Sequence, residues 1–115
     1  MPNDCYNVLT VTSETSIDEL TKLINNEINA ISDVTILVRG NRGIKCEFIS
    51  AWTPDFNWLE TLLENYPTCW IKNEWKEEGG MAGVWIGRLE FGVKQVTNMS
   101  WVDLSLEEEY YLFQI

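Results

Sequence analysis

The sequence predicts an α+β fold in which two helices cover one face of an antiparallel sheet. Three observations indicate this class. Several short segments alternate apolar with polar residues, as strands with one buried face do. Two other segments repeat apolar residues every three or four positions, as helices with one buried face do. Glycine-containing turns separate the alternating segments. One domain, residues 1–115, is large enough to contain all of these elements.

The first predicted elements are a strand at residues 5–13 and the helix that follows it. In the strand, Val8, Leu9 and Val11 stand among Thr and Asn residues. Ser16 and Glu19 form a capping box, in which the hydroxyl and the carboxylate satisfy the first backbone N–H groups of a helix. The expected apolar face of this helix is Ile17, Leu20, Ile24, Ile28 and Ile31.

A β-hairpin is predicted around the turn sequence RGNRG, with strands at residues 34–38 and 44–52. The glycines and the asparagine tolerate positive φ, so the segment suits a tight turn, and we interpret it as the central hairpin of the sheet. Its cations are Arg39, Arg42 and Lys45, the one basic cluster of the sequence. Phosphate binding and simple solvation are both open interpretations of this cluster.

The second helix begins at the sequence AWTPDFNWL. Thr53 can cap it, and Pro54 suits the first helical position, where a backbone N–H would be unpaired. Trp52 is expected to pack in the core or as a hydrophobic staple at this corner, and Trp58 to be half buried. The buried stripe is predicted at Phe56, Leu59, Leu62, Leu63 and Tyr66.

Further strands follow, separated by turns at residues 79–80 and near Gly92. Cys69, Ile71 and Trp75 share the buried face of the first, which leaves Trp70 on the other side. In the next strand the shared face is predicted to hold Trp85, Leu89 and Phe91.

The chain ends in a predicted short helix with a second capping box, Ser105 with Glu108. The complete order of strand, helix, strand, strand, helix, strand is that of a ferredoxin-like βαββαβ sandwich, with extra C-terminal strands and a short terminal helix.

The composition argues against an enzyme. The sequence contains no histidine, which removes the usual general base and excludes Ser-His and Cys-His nucleophile pairs. Cys5, Cys46 and Cys69 have no close ligand partner, so we expect buried, reduced thiols and no metal or other cofactor. The sequence GGMAG lacks the Lys and Ser/Thr of a phosphate-binding loop. Neighbouring Glu77 and Glu78 would point to opposite faces of a strand and cannot act on one substrate.

The net charge of −10 is the strongest compositional signal. Such a field repels nucleic acid and anionic membranes and attracts basic protein surfaces, although acidity that serves only solubility is the alternative. Residues 95–115 contain no cation. The predicted partner-binding residues are Asp103, Glu107, Glu108, Glu109, Tyr110, Tyr111 and Trp70, because aromatic side chains supply apolar anchors beside the acids. No apolar run is long enough to span a membrane, and the N-terminus lacks the pattern of a signal peptide, so a cytoplasmic protein is expected.

Two stretches of the sequence resemble the YubB ferredoxin-like family of phage and plasmid proteins. The matching positions are Phe48 and residues 50–54, 66–67, 77–78 and 80–83, together with the Asn-containing start. The longer central insert that is usual in that family is absent. The resemblance implies an origin in a mobile element and supports the fold, and it supplies no activity or catalytic residue.

Three functions follow from these observations. The first is an inhibitor that binds a basic, nucleic-acid-handling host protein, of the anti-CRISPR or anti-restriction type. The alternative is a structural or assembly module, homodimeric through an open sheet face. An RNA-binding domain that stacks bases on Trp70 and Trp85 is less favoured, because a basic sheet and the aromatic-glycine signature are missing.

Overall fold

The computed structural model describes residues 3–102, which form a six-stranded antiparallel sheet and two helices. In chain order the elements are β1 (Asp4–Ser13), α1 (Ile17–Leu23), β2 (Thr35–Arg39), β3 (Gly43–Ala51), α2 (Phe56–Asn65), β4 (Cys69–Glu77), β5 (Met81–Glu90) and β6 (Val93–Val102). A π-helical turn, Ile24–Ile28, continues α1. The strand order is β2-β3-β1-β4-β5-β6. The predicted α+β class is confirmed, and the predicted terminal helix lies outside the described residues.

Both helices pack on the same face of the sheet and share one hydrophobic core with it. From β1, Leu9 and Val11 are fully buried in this core. Leu20 of α1, Leu62 of α2 and Trp85 of β5 belong to the same cluster. Successive strand residues point to opposite sides, so every second residue faces away from this core. Among the described residues, no helix covers that opposite face.

The predicted cap of α1 is present, and it also joins two parts of the fold. The Ser16 hydroxyl accepts a hydrogen bond from the backbone N–H of Glu19 at 3.0 Å. The Glu19 carboxylate does not return to Ser16. It accepts instead from the backbone N–H of Thr68 at 2.7 Å, which ties α1 to the loop before β4.

The β2–β3 hairpin lies at one edge of the sheet, so its prediction as the central hairpin is wrong. β1 is central because it pairs with both β3 and β4. Every residue of β2 is exposed, and its register with β3 shifts between Ile36 and Val38. A short, irregular edge strand of this kind resists pairing with other chains.

Candidate interaction surface

The helix-free side of the sheet, here called the open face, is an exposed surface that the packing of the core does not explain. Its members follow from strand register and alternation. They are Tyr6, Val8 and Thr10 (β1), Lys45, Glu47 and Ile49 (β3), Trp70, Lys72, Glu74 and Lys76 (β4), Ala82, Val84, Ile86 and Arg88 (β5), and Gln95, Thr97, Met99 and Trp101 (β6).

Large apolar side chains on the open face are exposed to solvent. Tyr6, Ile49, Trp70, Met99 and Trp101 each keep between 45% and 57% of their surface accessible. Exposed apolar side chains that share one face of a small domain make that face a candidate for interaction, because burial of apolar surface drives association.

One end of the open face contains a shallow groove. Tyr6 of β1 and Trp101 of β6 are among the residues that line it, with Ala82 and Val84 of β5 between them. The groove has a volume of about 340 Å³. Ala82 pairs directly with Trp101, so its short side chain leaves a depression beside the larger rings. This groove can receive a flat or elongated side chain.

The other end of the open face carries a ridge. The guanidinium of Arg88 stacks over the Trp70 ring at 4.3 Å from its centroid. Arg88 also donates a hydrogen bond to the Glu90 carboxylate at 3.0 Å. The cation is therefore held over the indole and, from a second side, by the Glu90 carboxylate. Together the Trp70 and Arg88 side chains are called the ridge.

Between groove and ridge, the charged residues form two rows of opposite sign. Glu47 and Glu74 flank Val8 and make up the acidic row. The basic row lies two positions further along the strands. There Lys45 and Lys72 flank Thr10. Within one chain the rows are linked by the ion pair of Lys72 Nζ with Glu74 Oε1, at 3.4 Å.

The predicted basic hairpin does not act as one cluster. Lys45 belongs to the open face, whereas Arg42 donates to the backbone carbonyl of Glu14 and holds the turn against the end of β1. Arg39 donates to the carbonyl of Gly40 at 2.6 Å, within the turn itself. The structure thus favours a structural role for the two arginines.

On the helical side, a second groove of about 570 Å³ lies at the corner between β3 and α2, and Trp52 lines it. Trp52 is 55% exposed with φ of 68°, so its prediction as a core residue is wrong. The helix starts later than expected, because the carboxylate of Asp55, not Thr53, accepts from the N–H of Trp58. Trp58 is half buried as predicted, and its indole N–H donates to Glu27 at 3.2 Å.

The carboxylate in this corner groove builds a turn. Glu77 accepts hydrogen bonds from the backbone N–H groups of Met81 and Gly79, both at 2.9 Å, and from the side chain of Asn3 at 3.1 Å. These donors, first that of Met81 and then that of Gly79, lower the pKa of the Glu77 carboxyl. With its oxygens engaged by the β4–β5 turn, Glu77 serves the fold.

Acidic residues are concentrated on the helices. The segments Ile17–Leu23, Ile24–Ile28 and Phe56–Asn65 carry Asp18, Glu19, Glu27, Glu60 and Glu64, against the single cation Lys22. Glu19 and Glu27 accept hydrogen bonds from other elements, and Glu64 pairs with Lys94. Asp18 and Glu60 make no side-chain hydrogen bond with the described part of the chain, and Glu60 lies close enough to Lys94 to help raise its pKa after the larger effect of Glu64.

The predicted site residues divide into two groups. Trp70 lies on the open face, as its alternation indicated. Asp103, Glu107, Glu108, Glu109, Tyr110 and Tyr111 lie outside the described residues. Tyr6 was not predicted as a surface residue, although it stands out of phase with the buried residues of β1. That phase could have identified it once the covered side was known.

The three thiols are free and buried, as predicted. Burial raises the pKa of Cys46 and of Cys69 to about 11, and it raises that of Cys5 as well. Their thiolate fraction near neutral pH is therefore very small, which makes them poor nucleophiles.

Within residues 3–102, no helix is long and apolar enough to cross a membrane, and no three His, Cys, Asp or Glu side chains are grouped to hold a metal ion. No protein-family model, curated protein or solved structure matches the chain.

Proposed function

We propose that this chain works by binding another protein: it docks on a basic surface of a host protein that handles nucleic acid and inhibits that protein. The observation that carries the proposal is the concentration of acids on the helical side, where Lys22 is the one cation among the helical residues. A DNA-binding or RNA-binding surface is basic, so an acidic helical layer competes for the same contacts.

Long-range charge supports this mode of action. A net charge of −10 on 115 residues attracts a basic partner before contact and raises the association rate. The acidic segment at residues 103–115 adds to the same field. Acids that make no side-chain hydrogen bond with the described residues, such as Asp18 and Glu60, then contribute to the bound state.

The biological setting of the proposal rests on fold and resemblance together. We assign β1 to β4 with α1 and α2 to a ferredoxin-like unit, which the strand order β2-β3-β1-β4 and the placement of both helices on one face support. β5 and β6 extend that unit. The resemblance to the YubB ferredoxin-like family supports a phage or plasmid origin. The proposed target is accordingly a bacterial defence protein of the CRISPR or restriction type, met in the host cytoplasm.

The test is capture of host proteins from a bacterial lysate by the full chain, with two matched variants. One replaces helical acids, Asp18→Asn with Glu60→Gln. The control removes the same charge outside the helices, Glu14→Gln with Asp33→Asn. We expect the wild type and the control to retain nucleic-acid-binding proteins that added double-stranded DNA displaces, and the helical variant to lose them. Capture that neither DNA nor the helical substitutions reduce would overturn the proposal.

The C-terminal acids give a second, independent arm of this test. Reversal of Asp103, Glu107 and Glu109 to Lys leaves the capping residue Glu108 in place. With a captured partner in hand, the triple variant should associate more slowly, and its association rate should depend less on salt concentration. An unchanged rate and salt dependence would limit these acids to a role in solubility.

A further inference from the structure

We propose that the open face is covered by a second copy of this chain, in a face-to-face dimer with twofold symmetry. This inference is independent of the proposed function, because it concerns the side of the sheet opposite the acidic helices. It is carried by the order in which charge, ridge and groove follow one another along the strands.

The size of the open face suits a dimer. Five strands, each about 4.8 Å wide, and about eight residues per strand at about 3.4 Å of rise give a flat footprint of roughly 24 by 27 Å, or roughly 650 Å². A stable protein interface buries about 800 Å² of accessible surface on each partner. Protruding side chains make the accessible surface of the open face larger than its flat footprint, so the two areas are comparable. The exposed aromatic and aliphatic side chains on the open face provide apolar anchors within this area.

The two charged rows are self-complementary. A twofold interface places the same surface on both sides, so every attractive contact must occur twice with its roles exchanged. An axis that lies parallel to the rows and midway between them sets the acidic row of one copy over the basic row of the other. Glu47 then faces Lys45 of the second copy, and Glu74 faces Lys72 of the second copy.

The same axis brings the ridge onto the groove. The ridge of Trp70 and Arg88 lies one row beyond the basic row, and the groove residues Tyr6, Ala82 and Trp101 lie one row beyond the acidic row. The two features are equally distant from the axis on opposite sides. Arg88 of one copy is thereby set over Ala82 of the other, beside the Trp101 ring, and Trp70 is set over Lys76, so each cation lies near an indole.

A second copy fits this face better than a basic partner does. The open face holds Lys45, Lys72, Lys76 and Arg88, four of the eight cations in the sequence, although the chain as a whole is acidic. A basic protein would meet these cations directly. A copy of the same chain meets Lys45 and Lys72 with its own Glu47 and Glu74, and it sets Trp70 over Lys76.

The decisive experiment uses two complementary variants of the full chain. The all-basic variant carries Glu47→Lys and Glu74→Lys, and the all-acidic variant carries Lys45→Glu and Lys72→Glu. By sedimentation equilibrium the wild type should have twice the monomer mass of 13.3 kDa. Each variant alone should dimerise at least about a hundredfold more weakly, because like charges then face each other. An equimolar mixture should restore the dimer as a heterodimer.

A matched control, Asp18→Lys with Glu60→Lys, changes charge on the helical side and should leave the dimer intact. Circular dichroism establishes that each variant is folded. If either charge variant does not fold, Trp70→Ala takes its place, and we expect it to weaken the dimer at least tenfold.

A wild type that remains monomeric at about 100 µM, well above the Kd range of stable dimers, would overturn the proposal. So would variants that dimerise like the wild type, which would place the contact elsewhere, or a mixture that shows no recovery. A monomer that binds a single-stranded RNA oligonucleotide through Trp70 would make the face a nucleic-acid platform and would also overturn it.

Discussion

The two faces of one sheet differ in what their apolar residues do. On the covered face, Leu9, Val11 and Trp85 are buried against both helices and account for the fold. On the open face, Trp70 and Trp101 are about half exposed. Alternation along the strands generates both faces by the same rule. Apolar residues on the first are explained by the core of the monomer, and those on the second are not.

The comparison shows that an aromatic-rich composition does not by itself indicate a large core. Trp75 and Trp85 are buried and Trp58 is half buried, whereas Trp52, Trp70 and Trp101 are exposed. The exposed group lies at two surfaces, the corner groove and the open face. Exposed aromatic side chains of this kind are enriched at the energetic centres of protein interfaces.

The largest expected change in stability comes from replacing a tryptophan with alanine on the covered face, compared with the same replacement on the open face. Trp85→Ala should lower the free energy of unfolding by about 3–5 kcal/mol, because it removes a fully packed indole from the core. Trp70→Ala should change the stability of the monomer by less than about 1 kcal/mol, because it loses only partial burial and one stacked cation. Urea denaturation of both variants in dilute solution measures the difference, and equal losses would contradict the assignment of the faces.

The next largest loss of stability is expected at Gly83 of β5, which lies close to the backbone of β6. A Cβ on Gly83 would lie 2.6 Å from the carbonyl oxygen of Met99 and from the Trp75 indole. Gly83→Ala should therefore destabilise the protein by about 1–3 kcal/mol, through overpacking. Gly40→Ala is the control, because its Cβ would meet only the Gly43 carbonyl, at 4.0 Å. A thermal melt that ranks the two variants the other way would show that the packing of β5 against β6 is different.

The Glu77 turn predicts a specific pH dependence. The pKa of this carboxyl is lowered in the folded protein by the N–H groups of Met81 and Gly79. Its contribution to stability is therefore complete above the ordinary carboxyl pKa of about 4.3 and is lost as the pH falls through the lowered value. Urea midpoints of the wild type and Glu77→Gln should differ at pH 7 and converge in acid. A constant difference across this range would show that the ionised Glu77 carboxylate does not stabilise the turn.

The smallest effect is expected at the tip of the β5–β6 hairpin. Phe91 and Gly92 both have positive φ, 52° and 76°, as a type I′ turn requires. Phe91 is 99% exposed, so its ring gains nothing from the fold to offset this backbone. Phe91→Asn should raise stability by roughly 0.5–1 kcal/mol, because Asn tolerates this conformation. Alanine does not favour this conformation, so Phe91→Ala should leave the melting temperature almost unchanged.

Much of the covered face could be predicted from the sequence, because period and phase are local properties. Cys69, Ile71 and Trp75 share the buried face as predicted, and Ser16 caps α1. Trp85 shares its face with Leu89, but Phe91 was wrongly added to that face because the turn begins one residue earlier than expected.

The open face could be predicted only in part, because strand order decides which residues become neighbours. Trp70 was recognised as outward-facing. Its contact with Arg88 depends on the pairing of β4 with β5, and the groove between Tyr6 and Trp101 depends on four strands together. The exposure of Trp52 was missed because a left-handed backbone is not expected of a tryptophan.

Hydroxyl-radical footprinting of the full chain at two concentrations shows whether a second copy covers the open face, because it reports the solvent exposure of individual side chains. At low concentration, Tyr6, Trp70, Trp101 and Trp52 should all be oxidised, and Trp85 should be protected. At high concentration the three open-face residues should become protected while Trp52 stays reactive. If Tyr6, Trp70 and Trp101 remain as reactive as Trp52 at every concentration, the open face is not the contact between two copies.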